Sequence, residues 1–86
     1  MKPILYFKMA SCPYCREADR FLEELKGENP AYRDIPMQVV FEEREPALAE
    51  QYDYYYVPTF YVDGVKRHEG ALTREKLKAV LDEALG

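Results

Sequence analysis

The chain has 86 residues and a net charge of −4, with 12 Lys and Arg against 16 Asp and Glu. That length supports one domain with a thin core, so residues 1–86 are read as a single unit. No basic stripe offers a surface to nucleic acid and no apolar run approaches a membrane span, so neither partner is expected.

Met1-Lys2-Pro3 leads straight into Ile4-Leu5-Tyr6-Phe7. This run is too short for a secretion signal and has no small-residue cleavage site, so a cytoplasmic location is the default. It reads instead as a strand buried on both faces, with Lys8 to Ser11 as the loop out of it.

Cys12-Pro13-Tyr14-Cys15 follows and holds both cysteines of the chain. Pro13 suits the first turn of a helix, where its missing N–H is not needed. Cys15, Ala18, Leu22 and Leu25 recur at steps of three and four and form one apolar face. Arg16, Glu17, Asp19, Arg20, Glu23 and Glu24 fall on the solvated side, and Gly27 is the expected stop. A helix opening at Cys12 offers backbone N–H groups and a positive dipole end to that sulfur, which favours thiolate over thiol. Cys12 is therefore the expected nucleophile. Cys15 lies one helical step inside and is its resolving partner. In a reducing compartment a Cys pair at this spacing points to catalysis or metal binding rather than to a structural staple.

Glu28 to Pro36 reads as a loop, because Asn29-Pro30 and Ile35-Pro36 both disfavour helix. Met37, Val39 and Phe41 alternate with Gln38, Val40 and Glu42 as a second strand, expected parallel to the first. Pro46 opens a short helix reaching about Tyr52, with Asp53 able to end it in a left-handed conformation. Phe60, Tyr61 and Val62 make a third strand. Asp63-Gly64 is a two-residue hairpin signal, and Val65 to about Glu69 pairs back as a fourth. Thr73 caps a final helix striped by Leu77, Val80, Leu81, Ala84 and Leu85. The order is β-α-β-α-β-β-α.

With Cys12-Pro13-Tyr14-Cys15 at the first helix and Val57-Pro58-Thr59 before the hairpin, the chain resembles the glutaredoxin and thioredoxin families over essentially its whole length. The Cys-Pro-Tyr-Cys form is similar to dithiol glutaredoxins. Leu48 to Tyr52 with Val57 to Phe60 looks more like thioredoxin. The resemblance implies an α/β thioredoxin-like fold, with a four-stranded mixed sheet and helices on both faces. It implies a cis Val57–Pro58 bond against the Cys pair, leaving the Val57 backbone free for an extended substrate. It also implies a thiol–disulfide oxidoreductase, a monomer without tightly bound cofactor, acting on disulfide-containing proteins or glutathione mixed disulfides. Glutathione is the implied co-substrate; thioredoxin reductase is the alternative electron donor. The substrate-binding candidates are Lys8, Pro13, Tyr14, Val57, Pro58, Gly70 and Ala71.

Three positions depart from the resembled patterns. Glu69-Gly70-Ala71-Leu72-Thr73 has one glycine and no acid after it, where glutaredoxins carry Gly-Gly and an acid. Met9 stands where a glutathione-binding lysine is common, with Lys8 one residue further back. Tyr6 replaces the buried Asp of thioredoxins. A metal- or iron-sulfur-carrying protein is the other class. Zinc wants four ligands, however, and beyond the two cysteines there is only His68, which reads as an exposed strand residue. Of Tyr54, Tyr55 and Tyr56, alternation requires at least one to face outward.

Overall fold

The computed structural model describes all residues 1–86. Strand β1 (Ile4–Lys8) is followed by helix α1 (Pro13–Glu28), strand β2 (Met37–Phe41), helix α2 (Pro46–Ala49), strands β3 (Thr59–Val62) and β4 (Val65–Glu69), and helix α3 (Arg74–Leu85). The sheet order is β2-β1-β3-β4, with β1 and β2 parallel and β3 antiparallel to both β1 and β4. This is the expected α/β architecture. No helix is long and apolar enough to cross a membrane.

Both sheet faces are covered, which is why β1 reads as an unbroken apolar run. On one face Ile4, Tyr6, Phe60 and Val62 pack with Ala18, Leu22 and Leu25 of α1 and Leu77, Val80, Leu81 and Ala84 of α3. On the other, Phe7, Val40 and Tyr61 are covered by Leu48 and Ala49 of α2 and by Tyr52 and Tyr54. Each face therefore receives alternate residues of β1. Asp63 and Gly64 turn the hairpin with φ of 51° and 82°, the left-handed pair that such a turn needs. The Thr73 hydroxyl accepts the Lys76 N–H at 3.1 Å and starts α3.

Several local expectations are corrected. Helix α1 runs past Gly27 to Glu28 and is capped by Asn29, whose N–H bonds the Leu25 carbonyl. Asn29 precedes Pro30, and the proline ring forces it into an extended conformation. The stretch 28–36 is not simply a loop. Pro30–Asp34 forms a 3-10 helix that buries Tyr32, followed by buried Ile35, and Tyr32 donates to Asp82 on α3. In β2 it is Val40 that is fully buried, whereas Val39 is 42% exposed because this is an edge strand. Helix α2 ends at Ala49, and Gln51 and Tyr52 continue only as turns bonded to the Leu48 and Ala49 carbonyls. Asp53 does not adopt a left-handed backbone; Asp63 is the one non-glycine residue that does. The Asp53 carbonyl instead accepts from Tyr61 Oη at 2.8 Å and Lys66 Nζ at 3.1 Å. Strand β3 begins one residue early, at Thr59.

Candidate active site

The loop leaving β1 delivers Cys12 to the N-cap of α1 and places Pro13 at its first turn. Cys12 Sγ accepts the Cys15 N–H at 3.2 Å, so the sulfur itself caps the helix. A sulfur that carries negative charge gains there from the donor and from the helix dipole. On its other side Cys12 Sγ lies 3.8 Å from the Val57 carbonyl oxygen. The Val57–Pro58 peptide is cis. Two segments 45 residues apart thus meet at one sulfur. Cys12 is half-exposed and Cys15 is buried, and both are free thiols.

Their environments differ in chemistry. Burial pushes the Cys15 thiol up to about 12, and the neighbouring Cys12 sulfur adds to this. A backbone contact at Met9 and the charge of Lys8 pull it the other way. Near neutral pH Cys15 is held as a thiol, which leaves the half-exposed Cys12 as the sulfur available to attack.

The remaining candidates divide into two groups. Pro13 and Tyr14 follow Cys12 at the helix start, Val57 reaches its sulfur through the carbonyl oxygen, and the Pro58 side chain behind the cis peptide is fully buried. The Gly70 N–H donates to the Pro58 carbonyl at 2.8 Å, which ties Gly70 to the segment that carries the cis proline. Gly70 has a φ of 88°, a conformation that costs other residues strain. Lys8 is placed differently. It forms an ion pair with Asp19 of α1 and its side chain is only 14% exposed, so it is not an open anion receptor.

Tyr55 and Tyr56 are 85% and 70% exposed and Tyr14 is 58% exposed, giving three solvent-facing rings on the segments that carry Pro58 and Cys12. Tyr54 turns inward, stacking on Phe7 with ring centroids 4.7 Å apart and donating to Glu42 at 2.8 Å. His68 is half-buried and its Nε2 meets the Gly70 and Ala71 carbonyls, each at 3.0 Å, so it braces that loop. No group of three or more His, Cys, Asp or Glu is gathered to hold a metal ion.

Three residues near the candidate site, Glu69, Glu43 and Asp19, do not stand out for it in the sequence, and Thr59 reads only as part of the Val57-Pro58-Thr59 motif. Glu69 accepts the backbone N–H groups of both Tyr55 and Tyr56 and pairs with Lys66, which holds its carboxyl well down, at about 2. Glu43 accepts the Ala10 N–H at 2.9 Å and steadies the loop before Cys12. Thr59, fully buried, donates to the Tyr56 carbonyl. Asp19 binds Lys8 and also accepts from Tyr6 Oη at 2.8 Å.

The sequence profile of the Glutaredoxin family matches residues 4–66, from β1 through the Cys pair and the cis proline into the hairpin. The chain belongs to the glutaredoxin family. As a member it is a thiol–disulfide oxidoreductase, and the family needs no tightly bound cofactor. This glutaredoxin-family protein is also similar to proteins named for thioredoxin. It is 35% identical over 78 residues to "Probable Thioredoxin" of Methanothermobacter thermautotrophicus, covering 90% of this chain and 89% of that one. It is 32% identical over 79 residues to "Thioredoxin" of Methanocaldococcus jannaschii, covering 92% and 91%. Among solved structures it aligns with thioredoxin O1 from Arabidopsis thaliana at a TM-score of 0.73 and 23% identity, over 96% of this chain and 77% of that one. It aligns with Malassezia sympodialis thioredoxin at a TM-score of 0.78 and 18% identity, over 99% and 76%. At these identities the structural likeness shows the shared fold.

Proposed function

We propose that this protein reduces protein disulfides through Cys12 and Cys15 and is recharged by a dithiol reductase of the thioredoxin reductase type rather than by glutathione. Cys12 attacks a substrate disulfide and forms a mixed disulfide. Cys15 then attacks Cys12, releasing the reduced substrate and leaving the Cys12–Cys15 disulfide. The observation that carries this is the Cys12 sulfur, seated between the Cys15 N–H at 3.2 Å and the Val57 carbonyl at 3.8 Å. An extended substrate laid beside Val57 would bring its disulfide to that sulfur. Pro13, Tyr14, Gly70 and Ala71 would line its path, the buried Pro58 would fix the Val57 backbone beneath it, and Tyr55 and Tyr56 would add aromatic contact area.

The choice of donor rests on Lys8 and on the relatives. Glutathione carries two carboxylates, and a site built for it needs a free cation near the reactive sulfur. Lys8 is committed to Asp19 instead. The two relatives named above carry the name thioredoxin. A monomer working in the reducing cytoplasm, where such reductases keep thiols reduced, fits this chemistry.

The test is a paired assay on one mixed-disulfide substrate. One arm supplies glutathione, glutathione reductase and NADPH; the other supplies thioredoxin reductase and NADPH. Turnover is expected in the second arm, at least about tenfold above the first, which is the factor that about 1.4 kcal/mol of transition-state preference gives. Equal or faster turnover with glutathione would contradict the donor assignment and restore glutathione as co-substrate.

A further inference from the structure

From Asp53 to Pro58 the chain is neither helix nor strand, yet this segment carries Val57 and the two outward tyrosines. Backbone groups outside a ladder need other partners, or the segment stays loose. Strand β4 supplies them from the side. One Glu69 oxygen accepts the N–H groups of Tyr55 and of Tyr56, the latter at 3.0 Å. The other oxygen meets Lys66 Nζ at 2.7 Å, and that ammonium also donates to the Asp53 carbonyl at 3.1 Å. Gly70 adds its N–H to the Pro58 carbonyl at 2.8 Å. Val57 thus lies between residues pinned on both sides, with its carbonyl 3.8 Å from Cys12 Sγ.

A register shift makes the arrangement possible. Residues three apart on a regular strand point to opposite faces. Tyr61 pairs with Lys66, Phe60 with His68 and Thr59 with Glu69, so Arg67 is an extra residue in β4 opposite the Phe60–Tyr61 step. This bulge brings Lys66 and Glu69 to one face, the face that Tyr61 and Thr59 share. Without it Glu69 would point away from the Tyr55–Tyr56 backbone. An exposed ion pair alone contributes little. Here each charge also holds a backbone group of another segment. Lys66 and the two N–H groups keep the Glu69 carboxyl at about 2, so it is a standing anion wherever thiols exchange.

We propose that Glu69 is a positioning residue for polypeptide substrates: by fastening the Tyr55–Tyr56 backbone it holds Val57 ready beside Cys12 and both rings outward. An extended peptide then meets a preformed edge and need not order the segment itself. A small disulfide, with no backbone to lay along Val57, gains nothing from this. Glu69 thereby sets the preference between the two substrate classes without touching either. The proposal rests on the reading of Val57 as the docking position made above.

Single-turnover oxidation of the reduced protein tests it without any electron donor. The protein is mixed with excess insulin as the polypeptide disulfide, quenched in acid, and its oxidised fraction counted by mass. In Glu69→Met the insulin concentration for half-maximal rate is expected to rise about tenfold, as when about a tenth of the molecules hold the competent segment. The maximal rate should change by less than about twofold, because saturating insulin selects that arrangement. The rate constant with 5,5′-dithiobis(2-nitrobenzoate), a small disulfide, should also stay within about twofold. Glu69→Gln keeps an oxygen for the two N–H groups and should return half-saturation to within about twofold of the wild-type value. Unchanged half-saturation in Glu69→Met overturns the proposal. So does equal loss on insulin and the small disulfide, or a Gln variant shifted as far as the Met variant. A wild-type protein that reacts with the small disulfide but not with insulin would refute the polypeptide-substrate reading, and the proposal with it.

Discussion

Replacing Cys12 with serine is expected to lower disulfide reductase turnover by about three orders of magnitude or more, because a hydroxyl does not ionise near neutral pH and the other sulfur at the site, Cys15, is buried and held as a thiol. The Cys15→Ser protein should behave differently. Cys12 keeps its place at the helix N-cap, since the Cys15 N–H that it accepts belongs to the backbone. The first attack therefore proceeds and the reaction stops at the mixed disulfide. Mass spectrometry should find one substrate equivalent on Cys12, and turnover should fall about a hundredfold or more as release comes to depend on an external thiol. The asymmetry follows from burial. One sulfur is half-exposed between Val57 and the helix start, and the other is buried and held protonated. Equal loss of the first step in both variants would mean that the roles are wrongly divided.

Phe60→Ala carries the largest expected effect on stability. Phe60 is fully buried in β3, opposite Tyr6 of β1, and the two rings stack with centroids 4.3 Å apart and an interplanar angle of 17°. Truncation empties the middle of the face covered by α1 and α3. Such a change costs about 3–5 kcal/mol. A domain of this size has about 5–15 kcal/mol in total. Urea unfolding should show a midpoint lowered by at least about a fifth with an unchanged slope. Val65→Ala, on a half-exposed position of β4, serves as the control and should shift stability by no more than about 0.5 kcal/mol. A Phe60→Ala protein as stable as that control would show that the stacked pair does not anchor the core.

The elements that local pattern encodes were legible in the sequence. The apolar run Ile4 to Phe7, the stripe from Cys15 to Leu25, the Asp63-Gly64 turn and the Thr73 cap each depend on a few neighbouring residues, and each appears as expected. The Cys pair and Val57-Pro58 were legible as separate motifs, and the family resemblance brought them together. What escaped depends on pairing across the fold. Asp19 has the spacing of a solvated helix residue, and nothing near it in sequence says that Lys8 of β1 will meet it. Glu69 reads as the end of an edge strand, yet its carboxylate fastens the Tyr55–Tyr56 backbone. Val39 and Val40 are equivalent as apolar residues, and only the arrangement of the two covered faces decides which is buried. Gly27 looked like a stop because glycine often ends helices, but the restriction that Pro30 imposes on Asn29 acts two residues later.

A redox titration tests the central claim most directly. The protein is equilibrated with buffers of oxidised and reduced dithiothreitol, free thiols are alkylated, and the modified species are counted by mass. A single reversible two-electron transition is predicted, in which Cys12 and Cys15 lose and regain their alkylation together within one chain. Two thiols that stay alkylatable across the whole range, or that oxidise only into linked dimers, would contradict the account.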